Sequence, residues 1–144
     1  MNLVLIGYRG TGKSTVGKVL ARKLGRTVVS TDAEIVKRAQ LSVPEIVKQF
    51  GWDHFRDLES AVCRDFAARD QLIIDTGGGA ILLPENRECL KTRGAVVYLQ
   101  TSVAQQASRV RQGRLRPLLN DVDPAVKLAQ LMQVRAPLYE GTIL

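Results

Sequence analysis

Near its start the chain runs an apolar tetrad, a glycine-rich loop and an apolar stripe of helical period, and few folds can use that order. Leu3-Val4-Leu5-Ile6 reads as a short parallel strand buried on both faces. Gly7-Tyr8-Arg9-Gly10-Thr11-Gly12-Lys13-Ser14 fits the phosphate-binding pattern G-x-x-x-x-G-K-[ST]. Val16, Val19, Leu20 and Leu24 then fall at i, i+3, i+4 and i+8, one face of a helix. A loop between a strand and a helix N-terminus offers free backbone N–H groups and the positive end of the helix dipole, which attract phosphate. Gly7, Gly10 and Gly12 let the backbone curl around that phosphate without Cβ clashes. Lys13 would reach the β- and γ-phosphates, and the Ser14 hydroxyl would hold Mg²⁺.

The rest of the chain alternates strand and helix, which argues an α/β fold with a parallel sheet. Strands are expected at Leu3–Ile6, Thr27–Ser30, Leu72–Asp75 and Ala95–Leu99. Helices are expected at Lys13–Leu24, Asp32–Gln40, Val43–Phe50, His54–Ala68, Glu85–Thr92, Val103–Arg111 and Pro124–Tyr139. Ser42-Val43-Pro44-Glu45 resembles a capping box with proline in the first turn, and Asp123-Pro124 marks a helix start by the same logic. Phe55, Leu58, Val62 and Phe66 form a helical apolar stripe suited to the core. With 144 residues, no repeats and no linker, one domain spanning 1–144 is expected. Residues 112–123 mix arginine, glycine and proline between two helices, a composition that suits a mobile loop.

Composition narrows the partners. No apolar run approaches membrane-spanning length, and the N-terminus enters a strand at once, so a cytoplasmic protein without a signal peptide is expected. Cys63 and Cys89 lack metal-ligand spacing and are expected to stay reduced. A net charge of +7 suits nucleic acid, an acidic membrane surface or small anions. Aromatic residues make up only 5%, too few for a base-stacking platform, so polyphosphate is the better match for the cluster Arg109, Arg111, Arg114 and Arg116. His54, the single histidine, has no metal-ligand company.

Five further motifs fit one family. Ser30-Thr31-Asp32 follows the second strand, and Phe55-Arg56-Asp57-Leu58-Glu59 opens a long helix. Thr76-Gly77-Gly78-Gly79 follows the third strand, Arg116-Pro117-Leu118-Leu119 lies in the arginine-rich loop, and Arg135-Ala136-Pro137-Leu138-Tyr139 ends the last helix. Together with the N-terminal loop they make the chain resemble the shikimate kinases, of the P-loop small-molecule kinase group, over nearly its whole length. The resemblance implies a three-layer fold with helices on both faces of a parallel sheet of order 2-3-1-4 plus a fifth strand. It also implies a substrate-binding segment at about 32–61, a lid at about 112–123 and a monomer. The implied reaction moves the γ-phosphoryl group of ATP, with Mg²⁺, to the 3-hydroxyl of shikimate in the chorismate pathway. No nucleic-acid or membrane partner is implied.

Residue by residue, the resemblance implies ATP contacts from Gly10, Thr11, Gly12, Lys13, Ser14 and Thr15, with Arg109 stacked on adenine and Arg116 brought by the lid to the transferred phosphate. Asp32 would bind substrate hydroxyls and orient or deprotonate the nucleophile. Arg56 and Arg135 would grip the substrate carboxylate, and Gly77, Gly78 and Gly79 would line the same pocket. Chemistry agrees: a planar arginine fork suits a carboxylate, and an aspartate with backbone amides suits hydroxyls. Each residue also has a plainer use. Arg56 could pair with acids on its helix, Arg135 could serve the helix dipole, and the triple glycine could be a tight turn. Glu59 reads as the partner that orients a binding arginine, and Trp52 as packing.

Two departures from the family pattern stand out. The family often reads Asp-x-Asp after the second strand, where the first aspartate holds Mg²⁺ through water; here that position is Ser30. The third strand instead closes in Asp75, either a metal-side carboxylate or a cap on the glycine turn. The sequence also stops at Leu144, where family members continue through a further strand and helix; Thr142-Ile143-Leu144 reads as the start of that strand. The rival readings are a gluconate or nucleoside monophosphate kinase, and a nucleotide-binding module without catalysis.

Overall fold

The computed structural model describes residues 1–7 and 12–99. Their order is β1 (Asn2–Ile6), α1 (Lys13–Leu24), β2 (Thr27–Ser30), α2 (Thr31–Ala39), α3 (Val43–Phe50), α4 (Trp52–Ala67), β3 (Leu72–Asp75), a 3₁₀ turn (Ala80–Leu82), α5 (Pro84–Thr92) and β4 (Gly94–Tyr98). The strands form one parallel sheet of order β2-β3-β1-β4. The expected order is therefore found. The helices expected at 103–111 and 124–139, the lid and the start of a fifth strand lie outside the described residues.

Side chains alternate across the sheet, as a period of two requires. Val4, Ile6, Leu72 and Ile74 share one buried cluster with Ile35 of α2, Ile46 of α3, Phe55, Val62 and Phe66 of α4, and Leu90 of α5. Leu5, Ile73 and Val28 face the opposite way, toward Gly17 of α1. Both faces are thus covered, which is why β1 and β3 are apolar without a polar alternation. The stripe expected along α1 is corrected in part. Val19 and Leu24 are 38% and 51% exposed, and Gly17 is the buried residue of that helix. A Cβ there would stand 3.2 Å from Val28 Cγ2, so the bare glycine is what lets α1 lie close on the sheet.

Local chemistry accounts for most helix ends. Ser42 Oγ accepts from the Glu45 amide at 3.2 Å, the half of the capping box that starts α3. Ser30 Oγ does the same for Ala33 at 3.2 Å and starts α2 one residue earlier than the sequence suggests. Gly25 ends α1 in the left-handed region at φ 63°. Gly51, at φ 87°, separates α3 from α4 and lets α4 begin at Trp52 rather than His54.

Gly94 opens β4 where no side chain fits. A Cβ would lie 2.5 Å from the Leu90 carbonyl oxygen and 2.8 Å from Val4 Cγ2. The carbonyl belongs to the backbone of α5 and cannot turn aside. Gly94→Ala is expected to cost about 1–3 kcal/mol of stability, read as a lower urea midpoint. An unchanged midpoint would show that β4 and α5 separate more easily than this contact implies.

Candidate active site

The candidate residues gather at the C-terminal ends of the strands, where ligands bind in open parallel sheets. Leu5, Asp75 and Ser30 form one row across β1, β3 and β2. Gly7 follows the end of β1, and Gly12, in the left-handed conformation (φ 86°), launches α1. The first turn of α1 contains no acid, and no side chain caps it, so its amides and positive dipole are left for an anion. Lys13 Nζ donates to the Gly7 carbonyl at 2.6 Å, strapping the two ends of the loop together. Ser14 Oγ donates to Asp75 Oδ2 at 2.8 Å.

Asp75 is only 9% exposed. Burial pushes its carboxyl up from the usual carboxylate range, while the Ser14 hydrogen bond and the Lys13 charge pull it back and the Asp32 charge adds to the rise. The glycine turn that follows has a hydroxyl support of its own. Thr31 Oγ1 accepts from the Gly77 amide at 2.8 Å. Thr76 anchors the turn from the other side: its amide and its hydroxyl both donate to the Leu5 carbonyl, at 3.2 and 2.8 Å. Two further side chains follow the turn into the 3₁₀ segment. Asn86 Nδ2 donates to the Ala80 carbonyl at 2.9 Å, and an Arg87 guanidinium nitrogen donates to the Ile81 carbonyl at 2.7 Å.

That turn is the meeting point of the two candidate substrate residues. A Cβ on Gly77 would lie 2.5 Å from Asp32 Oδ1. A Cβ on Gly79 would lie 2.4 Å from a guanidinium nitrogen of Arg56. Asp32 from α2 and Arg56 from α4 therefore rest directly on the glycine backbone. The Arg56 guanidinium also donates to Glu59 Oε1 at 2.7 Å, and Glu59 is buried. Its Cζ lies 5.3 Å from the ring centroids of both Trp52 and Phe55. An arginine held by a carboxylate, two rings and a glycine wall has a fixed fork, which is what bidentate recognition of an anion needs. Trp52 thus touches the candidate site as well as packing.

Of the residues expected to act, the structure brings Lys13 and Ser14 together with Asp75, and Asp32 and Arg56 together on Gly77 and Gly79. Thr15 lies in the first turn of α1, and Gly78 lies within the glycine turn. Gly10, Thr11, Arg109, Arg116 and Arg135 lie outside the described residues. Thr31 and Thr76 escaped the sequence reading, although each sits inside a motif already singled out. Cys63 and Cys89 are free, and burial pushes both thiols up, which keeps them protonated. Among the described residues no helix is long and apolar enough to cross a membrane.

Known proteins resemble this chain in sequence and fold. The family model described as shikimate kinase matches residues 9–143. A shikimate kinase of Hahella chejuensis is 46% identical over 140 residues, covering 97% of this chain and 73% of that protein. The solved shikimate kinase from Acinetobacter baumannii, in complex with shikimate, superposes with a TM-score of 0.93 at 42% identity, over 99% of this chain and 79% of that one. The shikimate kinase structure from Bacteroides thetaiotaomicron gives 0.91 at 31% identity, over 97% and 82%. Strand order, phosphate loop, glycine turn and these likenesses agree, and the chain belongs to the shikimate kinase family of ATP-dependent phosphotransferases.

Proposed function

We propose that this chain moves the γ-phosphoryl group of ATP to the 3-hydroxyl of shikimate through the residues gathered at the sheet's C-terminal edge. The seating of Asp32 and Arg56 on one glycine turn carries the reading, because it puts a hydroxyl-binding carboxylate beside a carboxylate-binding fork. Arg56, with Arg135, grips the substrate carboxylate, while the turn's amides line the pocket. Asp32 accepts from the reacting hydroxyl and takes its proton as the new O–P bond forms and the bond to the β-phosphate oxygen breaks. Lys13 and the backbone of Gly10, Thr11, Gly12, Ser14 and Thr15 hold the phosphates. Arg116 arrives with the lid over the transferred group, and Arg109 packs on adenine. The reaction belongs in the cytoplasm, performed by a monomer with no nucleic-acid or membrane partner.

The Ser14 hydroxyl and Asp75 carboxylate fit a Mg²⁺–nucleotide site. Both are hard oxygen donors, and Mg²⁺ at such sites takes one or two protein ligands beside substrate phosphates. Bound there, Mg²⁺ would neutralise charge on the β- and γ-oxygens. Ser14 and Asp75 would hold it, directly or through its water.

The reading is tested by ADP release with shikimate, gluconate or nucleoside monophosphates as acceptor. Turnover is expected with shikimate alone; release with gluconate in its place, or with no acceptor tried, would overturn it. The glycine turn gives a finer check. The atoms that an added Cβ would strike are the side-chain ends of Asp32 and Arg56, not backbone. Gly79→Ala is therefore expected to raise the KM for shikimate at least about tenfold, one displaced charge-assisted contact, with little loss of melting temperature. Gly77→Ala, which pushes on Asp32, is expected to lower kcat instead. Equal effects of the two substitutions on both parameters would count against separate tasks for Asp32 and Arg56.

A further inference from the structure

We propose that Asp75 is the metal-side carboxylate of this chain, fixing the Ser14 hydroxyl and supplying the negative charge that holds the hydrated Mg²⁺ of the bound nucleotide. The inference rests on the nucleotide reading of the phosphate loop and adds to it a division of labour between two carboxylates. Asp32 is committed to the glycine turn, where its Oδ1 meets Gly77. Asp75 instead accepts from the Ser14 hydroxyl. The end of β2 offers no third acid. Ser30 stands there, uncharged, with its hydroxyl oxygen capping α2 through the Ala33 amide.

Register gives the two strand ends a shared place. Ser30 and Asp75 are paired across β2 and β3, and Asp75 is paired onward with Leu5 of β1. A carboxylate at either position would therefore stand at the same height on the sheet edge. β3 is the strand next to β1, so the β3 position is the nearer to the phosphate loop.

Energetics favour a cation here. A carboxylate that is nearly buried loses most of its hydration, and one hydroxyl donor with the nearby Lys13 charge does not fully replace it. A neutral residue of the same shape would leave the empty protein more stable. Such a deficit is offset when a divalent cation arrives. The hydrogen bond also has a direction. A serine hydroxyl has one proton and two lone pairs, so donation to Asp75 turns the lone pairs away from β3 and leaves them for the metal. This is how outer carboxylates orient inner ligands elsewhere.

Binding of Mn²⁺–ADP by wild type, Asp75→Asn, Asp75→Ala and Ser30→Asp/Asp75→Asn tests this without turnover. Mn²⁺ affinity is read by electron paramagnetic resonance, and ADP binding in EDTA by calorimetry. Asparagine keeps an acceptor for Ser14 but removes the charge; alanine removes both. Expected are an Asp75→Asn protein that melts no lower than wild type, unchanged ADP affinity in EDTA, and Mn²⁺ affinity about 10–100-fold weaker. Asp75→Ala should be weaker still. Ser30→Asp should restore part of the loss, since aspartate also caps helices. Unchanged Mn²⁺ affinity in Asp75→Asn overturns the proposal, as does an equal loss of ADP binding in EDTA, which would make Asp75 a support of the loop. Failure of wild type to bind ADP at all would instead overturn the nucleotide reading beneath it. Failure to use shikimate would leave this titration intact.

Discussion

Lys13→Ala is expected to lower kcat by about 10²–10³-fold or more, with the protein still folded. The ammonium donates to the Gly7 carbonyl at 2.6 Å, beside a first turn of α1 that has no acid and no side-chain cap. Charge grows on the phosphoryl oxygens as the group moves, and a cation fixed in advance needs no rearrangement to meet it. Lys13→Arg should not restore the rate, because the wider guanidinium does not fit a position set for a point charge. Single-turnover rates with saturating ATP separate chemistry from binding. A Lys13→Ala enzyme within about threefold of wild type would remove Lys13 from the chemistry.

Arg56→Ala is expected to lower kcat/KM for shikimate by about 10²–10³-fold while the KM for ATP moves by no more than about twofold. The truncation removes the fork proposed to hold the substrate and also strips the buried Glu59 of its arginine partner, so part of the loss will appear as lower melting temperature. Arg56→Lys isolates the recognition term. It keeps the charge beside Glu59 but cannot make two parallel hydrogen bonds to a carboxylate. Its melting temperature should stay near wild type while shikimate use remains poor. Loss of ATP affinity with shikimate binding intact would move Arg56 out of the substrate pocket.

Both sets of residues were legible in sequence because each belongs to a short, ordered motif beside a strand. The strand–loop–helix unit gave Lys13 and Ser14 from local pattern alone. Asp32 and Arg56 needed the family resemblance, since nothing local says that residues 24 apart will share a glycine wall. What escaped was long-range. Thr31 supports Gly77 across 46 residues, and Thr76 meets Leu5 across 71. Hydroxyls are common and carry no spacing rule, so such pairs show only once the strands are placed. The α1 stripe was over-read for a related reason. Periodicity marks which side chains could face the sheet, but the close approach at Gly17 depends on what the sheet puts there, Val28 and Leu5. Asp75 was the reverse case: the sequence flagged it, and only the register with Ser30 shows that the two positions share one row.

The packing around Arg56 has an optical consequence. Trp52 is the only tryptophan in the chain, stands 42% exposed, and has the Arg56 guanidinium 5.3 Å from its ring. An indole excited near a cation emits at a wavelength set by that charge and by the water it sees. An anion seated on Arg56 changes both, so the emission of the unlabelled protein should follow pocket occupancy, and the colour of one ring becomes a gauge of a neighbouring side chain's ligand.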